Sequence, residues 1–197
     1  MGIELHDYQT TLKSRVSLSG IGVHSGKPVT IHFSPADPDT GVVFQRIDPV
    51  GTGREIRALV SEIGGTDFCT ALGDPAGDHV ATVEHLMAAL SSLSIDNVLI
   101  EIDGGEVPIM DGSAMAFVEA FDGVGVEIQP LKRRFIRVMK PVRIEAGGSW
   151  AEFRPYDGTR FEVEIDFESK AIGRQFFAAD IDADVFRREI ARSRTFG

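Results

Sequence analysis

The feature that most narrows the folds open to this chain is an internal repeat. Residues 29–48, VTIHFSPADPDTGVVFQRID, can be laid over residues 149–166, SWAEFRPYDGTRFEVEID. Both carry F-x-P-x-D, at Phe33, Pro35 and Asp37 and again at Phe153, Pro155 and Asp157, followed by a turn, an alternating apolar strand and a closing Asp. The chain therefore reads as two copies of one sheet-plus-helices unit that meet near residues 129–134. This predicts an α+β protein with a first domain at 1–130 and a partial second domain at 131–197. From Phe33 to Phe121, where a second helix is expected to end, is 88 residues, but only 44 follow Phe153. The second copy holds a strand at 160–167 and one helix-like stretch at 182–192, and the rest of it is expected to lie outside these 197 residues.

Within the first copy the local signals follow one another clearly. Residues 10–19 alternate loosely, 20–26 (GIGVHSG) form a glycine-rich turn, and 28–33 put Val29, Ile31 and Phe33 on one face of a strand. The turn matches neither a Walker loop nor G-x-G-x-x-G and reads as a hairpin turn. Extended patterning resumes over 42–48 and again over 97–102, NVLIEI. Between them, residues 80–93 (VATVEHLMAALSSL) place Val83, Leu86, Met87, Leu90 and Leu93 on one helical face, with Asp78 as the expected N-cap. Ala88 and Ala89 on the far side allow close packing, so cover on both faces is expected. Glu84 and His85 fall off the apolar stripe, His85 almost opposite it. A second helix is expected over 113–121, capped by Asp111 and stopped by Gly123, with Phe117 and Phe121 one turn apart. A carboxylate in a Gly-flanked loop such as Asp111 can equally orient a histidine.

Charge and composition exclude several classes. A net charge of −10 and a pI near 4.9 argue against a general nucleic-acid binder, and the one basic cluster is Lys132, Arg133 and Arg134. No run approaches the roughly 20 apolar residues of a membrane span, and the first fifteen residues lack the apolar centre of a signal peptide. Cytoplasm is the default expectation. The single cysteine, Cys69, cannot form an internal disulfide and reads as a small buried side chain.

SGIGVHSG, TVEHLMAAL, IDNVLIEIDGGEVPIMDGSA, WAEFRPYDG, IDF at 165–167 and the closing ARSRTFG, taken together and in order, resemble the zinc-dependent UDP-3-O-acyl-N-acetylglucosamine deacetylases of lipid A biosynthesis. The resemblance runs over nearly the whole chain. It implies two similar domains, each a sheet with two helices, the helices sandwiched between the sheets. It also implies Zn2+ as cofactor and UDP-3-O-acyl-N-acetylglucosamine as substrate, losing its N-acetyl group. Hydrolysis of an unactivated amide fits a catalytic zinc with three protein ligands and an open position.

Site residues follow from the resemblance position by position. His85 is one zinc ligand and Glu84 the general base. Asp111 pairs with the acid that protonates the leaving amine, and the Thr195 hydroxyl serves the developing oxyanion. Asp166 and Phe167 match the uridine site, Phe196 the wall of the acyl-chain passage, and Val23 an apolar residue near it; His24 receives no role. The family's other two ligands belong to an H-K-x-x-D motif, and the acid is a His beyond it; neither occurs in these residues. This chain alone is therefore expected to bind zinc weakly and to be inactive. Glu168 to Lys170 depart from the His-Pro expected after IDF.

Two other readings stand beside this one. A non-catalytic fragment could bind a nucleotide-sugar or a partner, and a carboxylate pair, Glu84 and Asp111, could hydrolyse without metal. Strand edges and apolar surface in a partial second domain also predict self-association.

Overall fold

The computed structural model describes residues 7–49 and 52–195. Its strands in chain order are β1 (Tyr8–Leu12), β2 (Val16–Ile21), β3 (Pro28–Pro35), β4 (Val42–Arg46), β5 (Glu55–Arg57), β6 (Ile63–Gly65), β7 (Ala71–Gly73), β8 (His79–Val80), β9 (Val98–Ile102), β10 (Val126–Lys132), β11 (Val142–Ala146), β12 (Ser149–Phe153), β13 (Arg160–Asp166) and β14 (Arg174–Asp180). The helices are α1 (Glu84–Ser92), α2 (Met115–Val124) and the short α3 (Ala183–Val185), which runs on into a π-helical turn, Phe186–Ile190. This is an α+β protein. It divides into two compact units, one of residues 1–133 with 187–197 and one of residues 134–186.

The first unit is organised around a five-stranded sheet in the order β2-β3-β9-β4-β5. β2 and β3 form the hairpin expected of the glycine turn, with Ile21 opposite Pro28. β4 lies parallel to β9, which a crossover through β5 to α1 makes possible. β1 pairs with β10, and β6, β7 and β8 form a small antiparallel sheet. Strand pleating sends alternate side chains to opposite faces, so Val29, Ile31 and Phe33 of β3 and Val98, Ile100 and Ile102 of β9 are all buried. On α2 the buried residues Phe117, Val118 and Phe121 recur at helical spacing, and the helix packs against α1 and β2. Phe33 meets Phe121 edge-to-face at a centroid distance of 5.0 Å and Phe117 at 6.4 Å. Such pairs add about 1 kcal/mol each beyond the area they bury.

A buried amide knot closes the other end of this unit. Asn97 donates to the side-chain oxygens of Gln9 at 2.8 Å and Gln129 at 2.7 Å, and accepts from the Gly41 N–H at 2.7 Å. It joins β1, β10 and the start of β9 with every polar atom satisfied.

The second unit contains two antiparallel hairpins, β11-β12 and β13-β14. Their strands carry exposed apolar side chains, among them Ile144, Phe153, Phe161 and Phe176. The repeated F-x-P-x-D segments close β3 and β12, but the partners differ: β3 and β4 flank β9, whereas β12 pairs with β11 and β13 with β14.

Several local expectations need correction. α1 starts at Glu84, not near residue 80, and Asp78 does not cap it; Asp78 instead accepts from the Thr52 N–H and hydroxyl. α2 starts at Met115 and runs past Gly123, ending where Gly125, at φ +73°, turns its N–H back to the Phe121 carbonyl. Ala89 belongs to the buried stripe, whereas Met87 and Ala88 are half-exposed, so α1 is not covered all round. Cys69 is half-buried.

Candidate functional site

Glu84 and His85 form the first turn of α1, which no side chain caps. Their backbone is set from behind by Thr82, held at φ +58°, a left-handed conformation that a β-branched residue rarely adopts. Val83 follows in the right-handed region and sends its N–H to the Thr70 carbonyl at 3.2 Å. Thr70 returns the contact, its N–H donating to Oε2 of Glu84 at 3.0 Å. That bond fixes one carboxylate oxygen and leaves the other, Oε1, without a partner among the described residues. The His85 imidazole is half-buried and likewise makes no hydrogen bond among the described residues. A helix start also favours a carboxylate, through the partial positive charge of its free N–H groups.

Asp111 lies in the loop before α2, just after Met110 at φ +56° and before Gly112 at φ +87°. It accepts from the Ser113 hydroxyl at 2.7 Å and N–H at 3.1 Å, and Ser113 Oγ in turn accepts from the Met115 N–H at 3.1 Å. Asp111 therefore organises the helix start through Ser113 and is not itself the cap. The Ser113 hydroxyl, with the Ser113 N–H and Arg194, outweighs desolvation and holds the carboxyl below its ordinary 3.8. It is ionised at neutral pH.

The end of the described chain reaches the same loop. Thr195 donates its N–H to the Gly112 carbonyl at 2.9 Å, and Arg194 lies 3.4 Å from Asp111. Thr195 is exposed, and its hydroxyl has no hydrogen bond among the described residues. The structure thus brings Asp111 and Thr195 together on one loop and Glu84 and His85 together on one helix turn, with α1 and α2 in contact.

The other expected residues lie elsewhere. Val23 is 47% exposed at the tip of the β2-β3 turn. Asp166 ends β13 opposite Arg174, and Phe167 follows with its N–H on the Gly173 carbonyl at 3.2 Å; both belong to the second unit. Phe196 lies outside the described residues.

Two residues that shape this region receive no role from the sequence. Thr70 orients Glu84 through backbone alone, which is independent of residue type. Glu106 is 6% exposed and collects donors from three separate positions, although nothing in E-V-P distinguishes it from a surface glutamate.

A free imidazole beside an anchored carboxylate suits zinc in ligand type. It does not suffice in number: among the described residues no group of three or more His, Cys, Asp or Glu could hold a metal ion. Nor is any helix among them long and apolar enough to cross a membrane.

Comparison with known proteins agrees with the motifs. The family model of LpxC, UDP-3-O-acyl N-acetylglycosamine deacetylase, matches residues 9–197. Proteins named UDP-3-O-acyl-N-acetylglucosamine deacetylase from Brucella ovis, Brucella canis and Brucella melitensis are each 56% identical to it over 193 residues, covering 98% of this chain and 67% of theirs.

Proposed function

Because the chain belongs to the UDP-3-O-acyl N-acetylglycosamine deacetylase family, a family of zinc-dependent hydrolases, we propose that it serves in removing the N-acetyl group of UDP-3-O-acyl-N-acetylglucosamine, in the cytoplasm, during lipid A biosynthesis. The observation that carries this reading is the first turn of α1, where Glu84 is anchored by one oxygen beside His85, which has no hydrogen-bond partner among the described residues.

Zinc, when bound, supplies Lewis acidity that makes water a competent nucleophile near neutral pH. His85 is the residue of this chain that would hold it, through an imidazole nitrogen that no protein group occupies among the described residues. Two further ligands must join His85 before a tetrahedral site with one open position is complete. Glu84 takes the proton from the attacking water at Oε1, since Oε2 is engaged by Thr70. The Thr70 bond also restricts rotation of the carboxylate, so the basic oxygen keeps one direction. Thr195, anchored by its backbone to Gly112, offers its hydroxyl to the oxyanion of the tetrahedral intermediate. Ionised Asp111 orients the histidine acid that the family supplies for the leaving amine. Asp166 and Phe167 bind the uridine, and Val23 and Phe196 border the acyl chain.

The test is release of acetate from UDP-3-O-acyl-N-acetylglucosamine by a protein that carries these residues together with the family's H-K-x-x-D motif. Glu84→Gln is expected to lower kcat about 10²- to 10⁴-fold while zinc content stays near that of the parent. His85→Ala is expected to lower zinc content as well as rate. Parental activity in Glu84→Gln, or full activity after chelation, would overturn the assignment. The non-catalytic alternative predicts instead binding of the nucleotide-sugar with no acetate release by the parent itself.

A further inference from the structure

Three stretches that sequence motifs single out, 20–26, 80–85 and 105–111, meet on one buried carboxylate. Glu106 receives the His24 N–H on Oε1 at 3.0 Å, the Ser25 N–H on Oε2 at 3.0 Å and the Thr82 hydroxyl on Oε1 at 3.1 Å. Successive turn amides aimed at one anion form a nest, a concavity that normally binds a free anion and here is filled by a side chain. Gly22 allows the approach: a Cβ there would stand 2.3 Å from Oε2. Backbone pairing locks the same three stretches, with the Ala81 N–H on the Gly105 carbonyl at 2.9 Å, the Val107 N–H on the Ala81 carbonyl at 3.0 Å and the Ile109 N–H on the Ile21 carbonyl at 3.0 Å.

Thr82 is the link of interest. Its left-handed backbone is strained for a β-branched residue and persists only where surroundings over-determine it. The backbone bonds of Ala81 hold its entry side and the Val83 bond to Thr70 its exit side; among the described residues the side chain is held by Glu106 alone. Two residues later comes Glu84, and then His85.

We infer that Glu106 is a positioning residue for the Glu84–His85 pair, its carboxylate clamping the Thr82 hydroxyl and the turn at 22–26 together so that α1 leaves Thr82 in one direction. The inference rests on the reading that this pair carries the chemistry. It assigns Glu106 no contact with substrate or metal. Burial alone would push the Glu106 carboxyl up, but the His24 N–H, the Ser25 hydroxyl and N–H and the Thr82 hydroxyl outweigh it and hold the group below 4.5. An ionised carboxylate can accept all of these donors, whereas a glutamine would turn its own N–H2 toward one of them.

The test begins with amide NMR spectra of the metal-free 197-residue chain. In Glu106→Gln the His24 and Ser25 amides are expected to shift and to exchange about tenfold faster or more, and the Val83, Glu84 and His85 amides to shift with them. Thr82→Val, which removes only the hydroxyl link, is expected to move 83–85 and leave 24 and 25 in place. Thr82→Ser is expected to restore 83–85. In the protein of the acetate-release assay both Glu106→Gln and Thr82→Val are expected to lower kcat roughly tenfold to a hundredfold with KM within about twofold. Unmoved 83–85 amides in both variants would overturn the inference, and Thr82→Val decides the matter if Glu106→Gln fails to fold. Moved amides with parental kcat would also overturn the inference, since the clamp would then not position the pair for the reaction, while the catalytic reading of the pair itself is decided by Glu84→Gln.

Discussion

Gly22 and Gly26 flank the same turn, and the structure predicts that alanine will be tolerated very differently at the two. At Gly22 a Cβ would lie 2.3 Å from Glu106 Oε2, 2.4 Å from Ser25 Oγ and 2.8 Å from Glu106 Cδ, against the 3.4–4 Å of ordinary contact. Relief requires the turn and the carboxylate to separate by about 1 Å, which stretches a 3.0 Å bond beyond useful length. Two charge-assisted bonds to Glu106, from the Ser25 N–H on Oε2 and from the Ser25 hydroxyl, are then lost or bent. At about 1.5–3 kcal/mol each, with relaxation recovering part, the expected cost is about 3 kcal/mol. At Gly26 a Cβ would meet nothing within 4 Å, and the cost comes only from its φ of +63°, about 1 kcal/mol. Both variants stiffen the unfolded chain equally, so that effect cancels in the comparison. Thermal melts followed by circular dichroism are expected to show Gly22→Ala down by about 6–12 °C and Gly26→Ala by about 2–4 °C. Equal shifts, or the reverse order, would refute the account of Glu106 as a close-fitting anchor.

Three further outcomes are expected. Asn97→Ala orphans the Gln129 oxygen and the Gly41 N–H and leaves the Gln9 oxygen with the Asp39 N–H as its donor, so urea denaturation should show a loss of about 3 kcal/mol, and Asn97→Asp, which keeps an acceptor but no donor, a loss of similar size. Because folding lowers the Glu106 pKa from 4.5, its ionised form stabilises the fold above that value, and the contribution fades as pH falls through the folded-state pKa. The stability gap between the parent and Glu106→Gln should therefore be widest near neutrality and narrow progressively as pH falls below 4.5, and a gap independent of pH would count against it. The exposed Ile144, Phe153, Phe161 and Phe176 of the second unit predict concentration-dependent self-association, to be read by sedimentation; an ideal monomer at every concentration would contradict that.

The amino-acid sequence reveals the fold mostly through periodicity. Alternation puts Val29, Ile31 and Phe33 on one face because pleating has period two, and one-turn spacing pairs Phe117 with Phe121 on the face that meets Phe33. The α+β class and the Glu-His pair are legible on the same terms, with family motifs adding the chemistry. Helix starts are not. Asp78 and Asp111 have the composition of caps, yet with Thr82 and Met110 at left-handed φ the first helix starts at Glu84, not near residue 80, and the second at Met115, not at Ser113. Nothing local announces that choice, since tertiary partners enforce it. Glu106 lies 82 residues from His24 and 24 from Thr82, so its role exists only once the chain has closed on itself.

That dependence bears on how a nine-residue helix can hold reactive groups at all. A helix this short is marginal by itself, and α1 lacks a side-chain cap to start it. Leu86, Ala89 and Leu90 bury one stripe and fix its roll about its own axis. They do not set where its first turn begins, and that turn is where Glu84 and His85 stand. A conventional cap at residue 83 would have satisfied the helix N–H groups locally, without relating them to any other part of the molecule. Here the start is set by Thr82 through Glu106 and by Thr70 through Glu84, two contacts that each reach a different loop. The helix entry thereby becomes a property of the assembled loops. Glu84 and His85 can therefore hold a common orientation only when the turn at 22–26, the strand before α1 and the segment leading to Asp111 are all in place.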